Sequence, residues 1–254
     1  MLKQRPQAPS RIIALFLIAP ALLVLTGCSQ VSGLGFEENL SSVNDISLSL
    51  WQGAWIAAGV VGLITLILIV WPAIFHRKKV CAPEFPKQTQ YNVPVEIAYT
   101  IIPFIIVAVL FYFTAVKESQ IVEKSPTTVA HEIGVEGIQW SWQFSYPEAG
   151  PKAIVTGTPA QPPTLYVPLG ERVRYTITSN DVVHGFWIPA FMIQIQNLPG
   201  VTNHLEFTAN KLGTYPGRCN ILCGRNHTQM IFSVKVVTPS EYKSYLETLK
   251  AANV

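Results

Sequence analysis

The chain has 254 residues, of which 49% are hydrophobic and only 13% charged. An ordinary soluble domain carries roughly 25% charged residues. The net charge of +3 comes from 18 basic and 15 acidic residues, and Lys3, Arg5 and Arg11 sit in the first 27 residues, where there is no acid. The remainder is formally neutral, and the shortage of charge argues against a nucleic-acid binder, which needs a basic stripe. The apolar content excludes a disordered chain, and together they point to a membrane.

In chain order, residues 1–27 combine a basic start, the apolar stretch Ile12–Leu25 and small residues before Cys28. The stretch is too short to span a bilayer and reads as a signal peptide. Leu25-Thr26-Gly27-Cys28 resembles a bacterial lipobox, which implies cleavage before Cys28 and lipid on its sulfur. The alternatives are an ordinary signal peptide cut nearby or an uncleaved anchor. Residues 28–50 form an outer N-terminal segment. Trp51–Phe75 is 25 residues without Asp, Glu, Lys or Arg, enough to cross about 30 Å of hydrocarbon. Pro94–Val116 is a second span, with Glu96 near its start. The loop 76–92 between them carries Arg77, Lys78, Lys79 and Lys87 against Glu84, so the positive-inside rule puts it in the cytoplasm. The hairpin 51–116 then leaves Cys28 and everything after about 117 outside. Cys81 falls on the reducing side and receives no role.

From 127 onward the apolar period changes to two. Ile138, Trp140, Trp142, Phe144 and Tyr146 alternate with polar residues, and so do Val173, Tyr175 and Ile177. Met230, Phe232, Val234 and Val236 repeat the pattern near the end. Such alternation predicts strands with one buried face. Five prolines between 147 and 163 predict a loop, and Pro239–Ala251 a closing helix. Residues 117–254 therefore read as an all-β sandwich with a C-terminal helix.

The chemistry concentrates in Cys219-Asn-Ile-Leu-Cys223-Gly-Arg-Asn-His227-Thr-Gln-Met230, with His184 upstream. Thiolates with a thioether form a soft ligand set, which selects copper. A structural zinc site would leave Met230 unexplained. A mononuclear blue-copper site uses a single thiolate, one fewer than here. Two thiolates can instead bridge two copper ions, with one histidine terminal on each. A Cys219–Cys223 disulfide is the structural alternative outside the cytoplasm, but it leaves the spacing of His227 and Met230 unexplained.

The pattern Cys-x3-Cys-x3-His-x2-Met with a distant upstream His resembles the dinuclear copper A site of cytochrome c oxidase subunit II. Glu96-x-x-Tyr99-Thr100-x-x-Pro103 resembles the family's second-helix motif, and Gln139-Trp140-Ser141-Trp142 its aromatic segment. The resemblance implies two transmembrane helices followed by a cupredoxin-like Greek-key sandwich. It makes His184 and His227 terminal ligands, Cys219 and Cys223 the bridges, and Met230 and the Ile221 backbone carbonyl weak ligands. It makes Trp140 the residue through which cytochrome c delivers electrons, the alternative being a core aromatic. Glu96 would stand near a proton path in subunit I, or be an interfacial carboxylate favoured by the helix dipole.

The family usually has Glu between the two cysteines as a magnesium ligand, and Lys and Asp where Gln194 and Gln196 stand here. Ile221 offers no side-chain ligand, which puts a magnesium site in question. The implied function is electron transfer from cytochrome c through copper A to haem in subunit I, where oxygen is reduced to water and protons are pumped. The alternative within the superfamily is the copper A subunit of a nitric oxide reductase. Expected partners are subunit I, further oxidase subunits, the membrane and cytochrome c, with no nucleic acid. Residues 117–254 hold 11 basic and 10 acidic residues. With no acidic excess to steer a free basic donor, the donor is expected to be membrane-tethered or held in a supercomplex. The expected location is a bacterial cell membrane.

Overall fold

The computed structural model describes residues 35–77, 85, 88–123 and 129–252. The leader, Cys28, Cys81 and Lys78, Lys79 and Lys87 of the basic loop lie outside these residues. Helix α1 covers Asn44–Phe75 and helix α2 covers Val93–Val122. Both are long and apolar enough to cross a membrane. Their large apolar side chains point outward almost throughout, from Trp55 to Phe75 and from Val93 to Phe113. A helix that is apolar all round belongs in lipid or inside an assembly.

Both helices outrun the apolar stretches in the sequence. The segment leading into α1 is docked onto the soluble domain. Leu40, Val43 and Leu48 are buried. Ser42 N donates to Thr208 O at 2.9 Å and Asn210 N donates to Leu40 O at 2.9 Å. Asn44, fully buried, accepts from Leu40 N through Oδ1 and donates to Glu37 O through Nδ2, both at 3.1 Å. Every polar atom of that side chain therefore has a partner, as a buried amide requires.

The soluble domain is a sandwich of ten strands: β1 His131–Ile138, β2 Ser141–Ser145, β3 Ile154–Thr156, β4 Thr164–Pro168, β5 Arg172–Ser179, β6 His184–Ile188, β7 Ile193–Asn197, β8 Asn203–Thr208, β9 Gly213–Cys219 and β10 Ile231–Val237. One sheet has the order β3-β2-β1-β5-β8 and the other β4-β10-β9-β6-β7. Helix α3, Pro239–Ala252, closes the chain. The predicted alternation fills the space between the sheets. Val173, Tyr175 and Ile177 face Phe186, Ile188, Phe232 and Val234, all 2% exposed or less. Phe186 and Phe232 stack at 5.0 Å, with the Trp142 ring edge-on to both at 5.7 and 5.2 Å.

The expected strand across 138–146 is two strands. Gln139 and Trp140 form the turn of a tight hairpin, with Ile138 paired to Ser141 and Gly137 to Trp142. The inward face is therefore odd-numbered before the turn, at Ile133 and Val135, and even-numbered after it, at Trp142 and Phe144. Ile138 lies on the outer face, and Trp140 leaves the strand altogether. The proline-rich segment also contains a short strand, β3, which pairs with the edge of β2.

Candidate metal centre

Neighbouring strands of one sheet deliver the first two donors. β6 begins at His184 and β9 ends at Cys219, and Phe186 pairs with Cys219. The chain then loops through Cys223 and a single 3-10 turn, His227–Gln229, before β10. Cys219 N donates to Met230 O at 2.9 Å, which closes the loop at its base. Gly224 sits inside the loop at φ +126°, a conformation glycine adopts without strain.

The donor atoms form a continuous series. Cys219 Sγ lies 3.9 Å from His184 Nδ1 and 3.9 Å from Cys223 Sγ. Cys223 Sγ lies 3.6 Å from His227 Nδ1 and 3.7 Å from Met230 Sδ. The Ile221 carbonyl oxygen is turned inward, 3.2 Å from Cys219 Sγ. The two sulfurs stand far beyond the roughly 2.05 Å of a covalent bridge. The ligand atoms of His184, Cys219 and Cys223 all lie within 4.8 Å of one another. All six donors named by the sequence thus come together, two thiols at the centre, an imidazole beyond each, and one weak donor on either side.

His184 and Met230 are fully buried, while Cys219 and Cys223 are 4% and 5% exposed. His227 is only half-buried. Burial opposes ionisation of Cys219, yet hydrogen bonds with His184, Gly185 and Ile221 outweigh it and lower the thiol to about 6. Burial raises Cys223 to about 12, and the charge on Cys219 adds to the rise. Burial pulls His184 down, but Cys219 and Asp181 hold it above its ordinary value. Soft sulfur donors with imidazoles, largely dry and aimed at one another, fit a thiophilic metal such as copper better than a hard cation.

Three supporting residues were not visible from the sequence. Asp181 Oδ1 lies 2.8 Å from His184 Nε2, leaving Nδ1 for the sulfur side. A carboxylate on the far ring nitrogen is the usual support for a metal-binding histidine. Its spacing, Asp-x-x-His, was the available signal. Gly137 makes room for the imidazole, since a Cβ there would meet His184 Cδ2 at 2.7 Å. Gln139 donates from Nε2 to Cys223 O at 2.8 Å.

Trp140 is half-buried and packs on the edge of the core. Its Nε1 would lie 3.0 Å from a Cβ on Gly224, so the indole rests against the cysteine loop. Glu96 lies in the first turn of α2, where its Oε1 accepts from Asn92 N at 2.9 Å, and Asn92 Oδ1 accepts from Val95 N. That is the helix-terminus arrangement foreseen as one of its two readings. Gln194 and Gln196 are exposed on β7, and Gln194 Oε1 accepts from Asn220 Nδ2. Of the remaining histidines, His131 lies between Glu148 and Glu171.

The family model for the periplasmic domain of cytochrome c oxidase subunit II matches residues 161–237. A probable cytochrome c oxidase subunit 2 of Streptomyces avermitilis is 36% identical over 96% of this chain and 89% of its own length. The chain belongs to the cytochrome c oxidase subunit 2 family. A cytochrome c oxidase subunit 2 of Mycobacterium tuberculosis is 33% identical over 95% of this chain and 83% of its own length. The crystal structure of the periplasmic domain of the Bradyrhizobium japonicum subunit II is 30% identical, covers 50% of this chain and 99% of that one, and superposes with a TM-score of 0.44. Two membrane-length helices followed by a sandwich are thus the architecture of this member of the cytochrome c oxidase subunit 2 family.

Proposed function

We propose that this chain is the electron-accepting subunit of a haem–copper cytochrome c oxidase. It takes single electrons from cytochrome c on the outer face and passes them to haem in subunit I, where oxygen is reduced to water and protons are pumped. The observation that carries this reading is the ordered series of six donors around the Cys219–Cys223 pair. When bound there, a dinuclear copper centre supplies a one-electron store shared over two metal ions.

The chain's own residues have separable tasks. Cys219 and Cys223 would hold the metal through their thiolates, His184 and His227 through their imidazoles, and Met230 and the Ile221 carbonyl as weak donors at the two ends. Asp181 fixes the His184 ring, and the core around Trp142 keeps water from the inner side. Trp140 takes the electron from the donor. Its indole rests against Gly224 of the cysteine loop. With a formal charge of only +1 on residues 117–254, the donor is held nearby rather than steered. With Ile221 in place of a carboxylate, the family's boundary magnesium has no side-chain ligand here. A lipid on Cys28 and the hairpin 51–116 hold the domain at the outer membrane face.

The test is a complex purified through a tag on this chain. It should show haem, oxidise reduced cytochrome c with uptake of oxygen, and lose that activity in Cys219→Ser. Turnover with the native donor should change little as the Debye length shrinks from about 30 Å to about 10 Å. A haem-free complex, or oxygen uptake indifferent to Cys219→Ser, contradicts the reading.

A further inference from the structure

The β1–β2 turn is tied to the metal loop at two points by one residue. Gln139 N donates to Asp181 Oδ2 at 2.7 Å, and the other oxygen of that carboxylate holds His184. Gln139 Nε2 donates to the carbonyl oxygen of Cys223 at 2.8 Å. One residue therefore bonds to the groups that carry the donors at both ends of the series, the His184 side and the Cys223 side. Trp140 follows directly in the turn. Its indole is packed on Gly224, where a Cβ would lie 3.0 Å from Trp140 Nε1 and 3.2 Å from Gln139 Nε2.

We propose that Gln139 is a positioning residue that sets the distance between Trp140 and the copper-binding loop, and so the rate at which an electron crosses. The inference rests on the functional reading above and adds a residue to it. Trp140 Nε1, although buried, has no hydrogen-bond partner among the described residues, so the indole does not anchor itself. Its position depends on packing and on the two bonds made by its neighbour. Gln139 bonds to the loop through a backbone carbonyl, away from the Cys223 sulfur. Its loss should loosen Trp140 without changing the ligand set. Electron transfer slows as the distance between donor and acceptor grows, so a loosened indole lowers the rate while the metal ligands stay in place.

The experiment uses the purified full-length complex with Gln139→Met, which keeps the length of the side chain and removes its donor. Copper content and the electron paramagnetic resonance spectrum should stay as in the wild type. The rate of electron uptake at saturating cytochrome c should fall severalfold, with KM for the donor nearly unchanged. In a Trp140→Phe background the same substitution should cost almost nothing more, because both changes act on one path. Gln139→Asn, one methylene too short to reach the Cys223 carbonyl, should reproduce the loss and replaces Gln139→Met if that complex fails to accumulate. An unchanged rate overturns the proposal. So does a loss that adds in full to that of Trp140→Phe, and so does an altered copper spectrum, which would mean that Gln139 acts on the metal. Failure of the functional reading shows separately, as a wild-type complex without a shared-electron copper signal, and takes this inference down with it.

Discussion

His184 presents Nδ1 to Cys219 while its Nε2 is occupied by Asp181 at 2.8 Å, and this division of one ring sets the protonation of the site. The two thiols differ, Cys219 lowered to about 6 and Cys223 raised to about 12. Copper takes thiolates, so uptake expels whatever protons the thiols still hold. A group with a lowered pKa keeps its charge until the pH falls through the folded value. At pH 8 the Cys223 thiol still carries its proton and Cys219 does not, whereas towards pH 6 and below His184, held above its ordinary value, and Cys219 take up protons too. The affinity of the metal-free chain for copper should therefore fall more steeply as the pH drops from 8 through about 6, each further donor protonated adding about one factor of ten per pH unit. A competition titration between pH 5 and 8 checks this, and a constant slope across that range contradicts it. The ligands themselves were legible because soft donors at fixed spacing have few other uses. Asp181 and Gln139 were not, since a carboxylate and an amide are common and only the fold shows what they face.

Gly137 is a β1 residue whose importance comes from β6 in the opposite sheet. A Cβ at 137 would meet three atoms of the His184 side chain, at 2.7, 3.0 and 3.1 Å. The imidazole is fully buried and cannot step aside. Gly137→Ala should cost about 1–3 kcal/mol by overpacking and lower copper occupancy through the displaced ring. Thermal unfolding together with metal analysis of the full chain checks this, and full copper with unchanged stability contradicts it. The strands that could be read from the sequence are those with one strict apolar face, β2, β5 and β10. The turn at Gln139–Trp140 was hidden because the apolar series Ile138, Trp140, Trp142 runs straight through it while the buried face switches parity. β7 was hidden for another reason. Its Gln194 and Gln196 point outward beside a short apolar face, so five residues give little period to read.

At the scale of the molecule, the membrane helices and the sandwich are joined more closely than the sequence suggested. The segment just before α1 is pinned to the end of β8 by the Ser42–Thr208 and Asn210–Leu40 bonds, and Asn44 braces that segment from the first residue of the helix, so the hairpin leaves the sandwich from a fixed point. The broad plan of two spans and a β domain was readable, because hydropathy and a change of period from 3.6 to 2 are long-range signals. The docking was not, since it depends on single buried polar residues in a segment of ordinary composition. The central claim is that Cys219 and Cys223 bridge two copper ions. Its most direct test is electron paramagnetic resonance on the copper-loaded full-length chain, alongside Cys219→Ser and Cys223→Ser. The account predicts one unpaired electron shared equally over two copper nuclei in the wild type, and loss of that pattern in each variant, leaving at most a mononuclear signal. A wild-type spectrum from a single copper, or a shared-electron spectrum that survives either substitution, would contradict it.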